Sequence, residues 1–263
     1  MYFLIAFAVA LVMCAVGYKK FVWFISIGYG FAVAGIGVAM LVMFWKSLEV
    51  VTVILALLCI VYGLRLGLYL LRRELKSKSY QNTMKTEIKD GSNMKFVAKF
   101  FIWVSCGILY VCQTCPILFR LQNGVKTDIA AIIGAVIMAL GIILETASDI
   151  TKNNFKKKNP NRFCDVGLFK IVRCPNYYGE ILIWTGVFCS GTTALNGALQ
   201  WICAISGYVA IVYIMFGGAR RLEIRQNKNY GNDPEYQEYV KRAPILLPWL
   251  PLYSVEKYKW LLG

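Results

Sequence analysis

The chain contains no histidine. That removes the side chain most used for proton transfer near neutral pH and for holding metals, so histidine-dependent chemistry of any kind is excluded. Charge is scarce and lopsided: 16% of the 263 residues are charged, with 29 Lys and Arg against 14 Asp and Glu, a formal net charge of +15. With 58% hydrophobic residues, the chain is too apolar for an ordinary soluble domain. No cysteine spacing resembles a zinc site. Of the nine cysteines, Cys14, Cys59, Cys106, Cys189 and Cys203 fall inside apolar segments, and the C-x-x-C of Cys112 and Cys115 does too. Such a motif signals redox or metal chemistry in a soluble setting, so no metal is expected here. Neither an internal repeat nor a separate soluble domain is visible.

What the chain has is apolar length. A bilayer is crossed by about 17–25 apolar residues in a helix. Seven such spans are expected, roughly Tyr2–Gly17, Phe21–Phe44, Leu48–Leu71, Phe96–Phe119, Ile129–Thr146, Tyr177–Gly197 and Ala198–Gly218. The fold class is therefore all-α, a polytopic multi-pass membrane protein, with 1–263 as a single membrane domain. The first segment has the small residues Ala15-Val16-Gly17 of a signal-peptide cleavage site. It lacks a basic lead-in, however, and Lys19-Lys20 follows it, an order that favours a retained helix.

The basic residues alternate between loops. Lys19 and Lys20 follow the first span. Arg72, Arg73, Lys76, Lys78, Lys85, Lys89 and Lys95 surround the third connection, a polar stretch, Glu74–Asn93, that reads as mobile. Lys152, Lys156, Lys157, Lys158, Arg162, Lys170 and Arg173 fill the fifth, and Arg220, Arg221, Arg225, Lys228, Lys241 and Arg242 follow the seventh. The other loops carry only Lys46, then Arg120 and Lys126. Positive-inside bias puts the N-terminus outside and the C-terminus in the cytosol. It also accounts for the net charge through orientation and anionic lipid, so no nucleic-acid partner is expected. The membrane is the endoplasmic reticulum in a eukaryote and the inner membrane in a bacterium.

Four polar constellations stand out against this background. Glu145, Asp149 and Lys152 recur at helical spacing, so one face can present all three; a solvated helix end is the plainer reading. In GLFKIVRCPNYYGEILIWTG, residues 167–186, Pro175 suits the first position of a helix, and Asn176, Glu180 and Trp184 share a face. Arg162, Arg173 and the free N–H groups of that helix start could hold a pyrophosphate, while Asn176 and Glu180 could hold an uncharged polar ring or amide. Tyr62 and Arg65 lie three apart in the third span. An arginine inside a bilayer needs a partner or an anionic ligand, whether Glu49, Glu180 or a bound molecule. The tail from Arg220 onward interleaves Tyr230, Tyr236 and Tyr239 with charge. It could fold back over a cofactor or lie on the membrane surface as an amphipathic helix.

Together these stretches resemble the steroid 5α-reductase superfamily, especially its uncharacterised branch with the steroid-reductase C-terminal domain. The resemblance rests on Glu145, Ala147, Asp149 and Lys152, on Phe155-Lys156 and Pro160, and on Gly167-Leu168-Phe169 followed by Arg173-Cys174-Pro175-Asn176-Tyr177-Tyr178-Gly179-Glu180. In the tail it rests on Asp233-Pro234-Glu235-Tyr236, Tyr239, Arg242-Ala243-Pro244 and Leu247-Pro248. Arg65-Leu66-Gly67 and Gln113 with Pro116 also fit. The likeness covers residues 62–248; residues 1–60 are generic spans, and 220–263 would be a cytosolic tail packed on the cofactor side.

The resemblance implies an NADPH-dependent oxidoreductase that transfers hydride to a conjugated carbon–carbon double bond in a steroid-like or other lipid enone. It implies NADPH contacts from Glu145, Asp149, Lys152, Arg162, Arg173, Asn176, Tyr177, Glu180, Tyr236 and Tyr239, and catalytic roles for Tyr62, Arg65 and Glu180. Two positions depart from the family pattern. Cys174 stands where histidine is usual, and the second span has no carboxylate, Glu49 being the nearest. Membrane methyltransferases of the isoprenylcysteine and phospholipid type share a related helix and tail and use S-adenosylmethionine, which gives the alternative reading. A non-catalytic lipid-binding relative is a third.

Overall fold

The computed structural model describes residues 1–76 and 94–262. The connection carrying Lys78, Lys85, Lys89 and Gly91 thus lies outside the described residues. Among those described there are eight α-helices and no strand: α1 Tyr2–Cys14, α2 Ile27–Met43, α3 Val50–Lys76, α4 Phe96–Gln122, α5 Ile129–Lys158, α6 Pro175–Gly191, α7 Gly197–Tyr230 and α8 Pro234–Arg242. Helix is what an apolar segment must form where no water can satisfy its backbone. Five segments are long and apolar enough to cross a membrane: Phe21–Met43, Val50–Lys76, Phe96–Gln122, Ile129–Lys158 and Gly197–Tyr230. That is the signature of an integral membrane protein.

The two other expected spans are helical but short. The 13 residues of α1 give way to a 3₁₀ turn, Ala15–Tyr18, and α6 has 17 residues. Several ends differ from the apolar runs. α5 runs on to Lys158 and α7 to Tyr230, well beyond the Thr146 and Gly218 at which hydropathy alone stops. In both cases a charged face replaces the apolar one while the backbone ladder continues. The turn between α6 and α7 closes at Gly197, whose φ of 74° lies in the left-handed region that glycine tolerates.

The chain divides into two compact units, residues 1–135 with 187–208, and residues 136–186 with 209–263. In the first unit, α2 packs most extensively on α3. The two backbones come together at glycine: a Cβ on Gly30 would sit 2.6 Å from Gly67 N and 2.8 Å from Gly63 O. Close approach of this kind needs small residues on both helices.

One arginine ties the loops of this unit. Arg120 is fully buried at the end of α4. Its Nε donates to Ser190 O at 2.7 Å and its Nη1 to Lys126 O at 2.8 Å. Its Nη2 reaches both Asp128 carboxylate oxygens at 3.0 and 2.9 Å, and the Thr193 hydroxyl at 2.6 Å. That hydroxyl donates in turn to Asp128 Oδ2 at 2.6 Å. Nearby, the Thr127 hydroxyl donates to Glu49 Oε2 at 2.7 Å. Glu49 is thereby committed to the α4–α5 connection.

Partial burial raises the Asp128 carboxyl, but Thr193, the Ala131 N–H and Arg120 outweigh it and hold it below the usual carboxylate range. A lowered folded-state value means that the stabilisation is complete above the unfolded value of about 3.9 and is lost as pH falls through the folded one. Melting temperature in detergent is therefore expected to fall below about pH 4, and Asp128→Asn to flatten that fall. At neutral pH Asp128→Asn should cost about 2 kcal/mol, since a buried guanidinium loses its counter-ion while the carboxylate was partly solvated.

Candidate functional site

The second unit holds ten of the sequence-predicted residues. Its frame is the crossing of α5 and α6. A Cβ on Gly179 would stand 2.8 Å from Glu145 N and 2.9 Å from Gly141 O, and one on Gly141 would stand 2.7 Å from Ile183 N. Only glycine allows this approach. It brings Glu145 and Glu180, 4% and 5% exposed, into the same crossing. The predicted face of α6 is present: Trp184 Nε1 donates to Glu180 Oε1 at 3.1 Å, one turn on. Asn176, one turn earlier, is half-buried, and its Oδ1 is buried without a hydrogen-bond partner.

Arg173 precedes α6 and is 1% exposed. Its Nη2 donates to Glu223 Oε1 of α7 at 2.9 Å and to the Tyr253 carbonyl. Its Nε and Nη1 are buried and have no hydrogen-bond partner. Glu223, equally buried, accepts the Val255 N–H on its other oxygen at 2.8 Å. The ion pair therefore clasps the tail. The backbone does so as well: Arg173 N donates to Pro244 O at 2.9 Å and Cys174 N to Ile245 O at 3.0 Å. Cys174 is wholly buried with Ile181, Ala219, Ile245 and Leu246. It packs there as a small apolar side chain.

A second cluster covers the α5–α6 connection. The Phe163 ring stacks on Tyr239 at 5.3 Å and meets Tyr236 edge-on at 5.2 Å. The Tyr239 hydroxyl donates to Phe169 O at 2.7 Å, and that of Tyr236 to Asn227 Oδ1 at 2.7 Å. Burial pushes the Tyr236 phenol up to about 12 and Tyr239 higher still, so both remain protonated donors at neutral pH. Arg162, predicted as a cofactor contact, is exposed and pairs with Asp165 and Glu235, both at 3.0 Å. Lys152 is half-buried, within electrostatic range of Asp149, Arg225 and the thiols of Cys174 and Cys164. Tyr177 is half-buried; a Cβ on Gly218 would touch its ring at 3.3 Å.

Tyr62 and Arg65 belong to the first unit. Tyr62 is fully buried and donates to the Tyr29 hydroxyl of α2 at 3.0 Å. The second span, which has no carboxylate, thus presents a phenol to Tyr62. Arg65 is half-buried one turn further on. Sequence reasoning did not find Tyr29, Glu223, Asn227 or Phe163. Glu223 carried a signal, as the one acid within the basic run 220–228; Tyr29 sits in a Gly- and Ala-rich helix with nothing to mark it. No group of three or more potential metal ligands occurs among the described residues.

Glu223→Gln should lower stability in detergent by about 3 kcal/mol, because it leaves a buried guanidinium without its counter-charge. Tyr239→Phe, which removes one neutral hydrogen bond, should cost about 1 kcal/mol. Equal losses on thermal or denaturant melting would contradict a clasp built on the ion pair.

The profile of one family, described as a protein of unknown function, DUF1295, matches residues 6–243. No curated protein and no solved structure matches the chain. Because the match spans nearly all of the two units described above, the chain belongs to the DUF1295 family.

Proposed function

We propose that the protein is an NADPH-dependent membrane reductase acting on a conjugated carbon–carbon double bond of a lipid enone. In this reading the short helices α1 and α6 also cross the bilayer, making seven spans, with the N-terminus outside and the second unit's charged residues in the cytosol. The observation that carries the reading is Arg173. Two of its buried donor groups, Nε and Nη1, make no hydrogen bond, it stands two residues before the first residue of α6, and Lys152, itself near Arg225, adds positive charge by Cys174, where Glu223 adds the opposite sign. Unused guanidinium donors beside a helix N-terminus suit a pyrophosphate. S-adenosylmethionine carries no phosphate and a positive sulfonium, so the same surroundings favour the dinucleotide.

The residues present fit such a group. Arg173 and Lys152 would hold its phosphates, with Asp149 and Arg162 flanking them. Asn176 Oδ1 has the free acceptor that a carboxamide N–H requires, and Glu180, kept in place by Trp184, would orient the same ring. When bound, NADPH supplies a hydride. The chain's own task is to stabilise the oxygen of the enone as negative charge grows on it. Tyr62 is assigned as that donor: its one phenol proton, given to Tyr29 in the structure, would turn to the enone oxygen, with the Tyr29 hydroxyl donating back to the Tyr62 oxygen, and Arg65 adds positive charge one turn away. Tyr236 and Tyr239, neutral at physiological pH, would close the tail over the cofactor end.

Thermal shift of the detergent-purified protein tests this. NADPH should stabilise it and S-adenosylmethionine should not; the reverse result sinks the proposal and favours a methyltransferase. Asn176→Ala and Glu180→Gln should abolish the NADPH shift, while Lys157→Ala, on an exposed side chain, should leave it intact. Using oxidation of NADPH with a steroid 4-en-3-one as the readout, Tyr62→Phe should cut kcat by about 100-fold, the scale of one oxyanion-stabilising donor, with little change in cofactor affinity.

A further inference from the structure

The first unit contains a buried amide that the fold does not use. Gln113, in the middle of α4, is 3% exposed, and neither its Oε1 nor its Nε2 has a hydrogen-bond partner. Buried polar groups are nearly always satisfied, and an orphan lowers stability. A leucine would fill similar volume without that penalty. The neighbouring polar groups are committed elsewhere. Tyr110, three residues earlier and so on the same face of α4, donates to Phe24 O at 2.7 Å. The Thr114 hydroxyl turns back onto Tyr110 O and Val111 O of its own helix, at 2.9 and 3.2 Å. The Tyr110 ring lies 5.0 Å from that of Tyr29, and Tyr29 accepts from Tyr62.

From this we infer that Gln113, together with the Tyr29–Tyr62 pair, binds the oxygen-bearing end of an uncharged, membrane-soluble lipid. A carboxamide presents one acceptor and two donors, which match a carbonyl or a hydroxyl. No charged residue lies on α4 between Lys99 and Arg120, so the helix that carries Gln113 offers an ionised ligand no counter-charge at this level; Arg65 lies on α3, one turn beyond Tyr62. The inference deepens the enone-reductase reading by assigning its substrate oxygen a partner, and it rests on that reading for the choice of a ketone as ligand.

The test is Gln113→Leu in detergent, with a C27 steroid 4-en-3-one as probe and the matching steroid hydrocarbon without oxygen as control. Without probe, the variant should melt higher than wild type by ~2 °C or more, because the orphan amide is gone. The ketone should stabilise wild type and the hydrocarbon should not. Gln113→Leu should lose the ketone shift and keep the NADPH shift. A lower melting temperature for the variant would mean that the amide has a structural partner, such as a bridging water, and overturns the inference. So does a wild type indifferent to the ketone, a wild type equally stabilised by the hydrocarbon, or a ketone shift that survives in the variant. Loss of NADPH binding in wild type with the ketone results intact would instead remove the reductase reading and leave this site standing.

Discussion

Two opposite charges, Arg173 and Glu223, are almost wholly withdrawn from water at a distance of 2.9 Å. Desolvating such a pair costs several kcal/mol per ion unless the remaining lone pairs and protons find partners. Here those partners are peptide groups of the tail, the Tyr253 carbonyl on one side and the Val255 N–H on the other. The pair therefore imposes a conformation on a stretch that forms no regular secondary structure after Arg242. It seats Pro244 and Ile245 against the backbone of 173 and 174, which buries Cys174 and fixes the start of α6. The face carrying Asn176, Glu180 and Trp184 follows from that start. The two guanidinium nitrogens left without a hydrogen bond, Nε and Nη1, are thus a by-product of how Nη2 is spent.

The glycines play a complementary part. Gly141 and Gly179 let two helices touch backbone to backbone, and Gly30, Gly63 and Gly67 do the same in the other unit. In lipid there is little hydrophobic drive to push helices together, so close packing and polar contacts must supply it. Each unit places some of its buried polar residues next to such a crossing. Glu145 and Glu180 flank the first, and Tyr62 adjoins Gly63 at the second.

Much of this was legible in the chain itself. Long apolar runs gave the helices, Pro175 the start of α6, and the 176–180–184 spacing a shared face that the Trp184–Glu180 hydrogen bond realises. The charged extensions of α5 and α7 were not, because hydropathy ends where the apolar run ends, whereas a backbone ladder needs only the next good helix former. Glu223 and Tyr29 were missed for a different reason. Their roles come from partners 50 and 33 residues away, and no local spacing encodes them. Arg162 shows the converse: its place in the motif suggested a pyrophosphate donor, and no local spacing announced that its exposed guanidinium also pairs with Asp165 and Glu235.

The clasp also sets an order of assembly. Residues 253 and 255 follow every described helix, so during synthesis α6 and α7 exist before the peptide groups that complete their buried pair. Until those residues arrive, Arg173 and Glu223 have only each other, a poor bargain in a desolvated setting. The buried pair can acquire its full set of hydrogen bonds only after translation has passed α8, and a nascent chain halted short of that point would expose a charged, unfinished core to the cell's quality control.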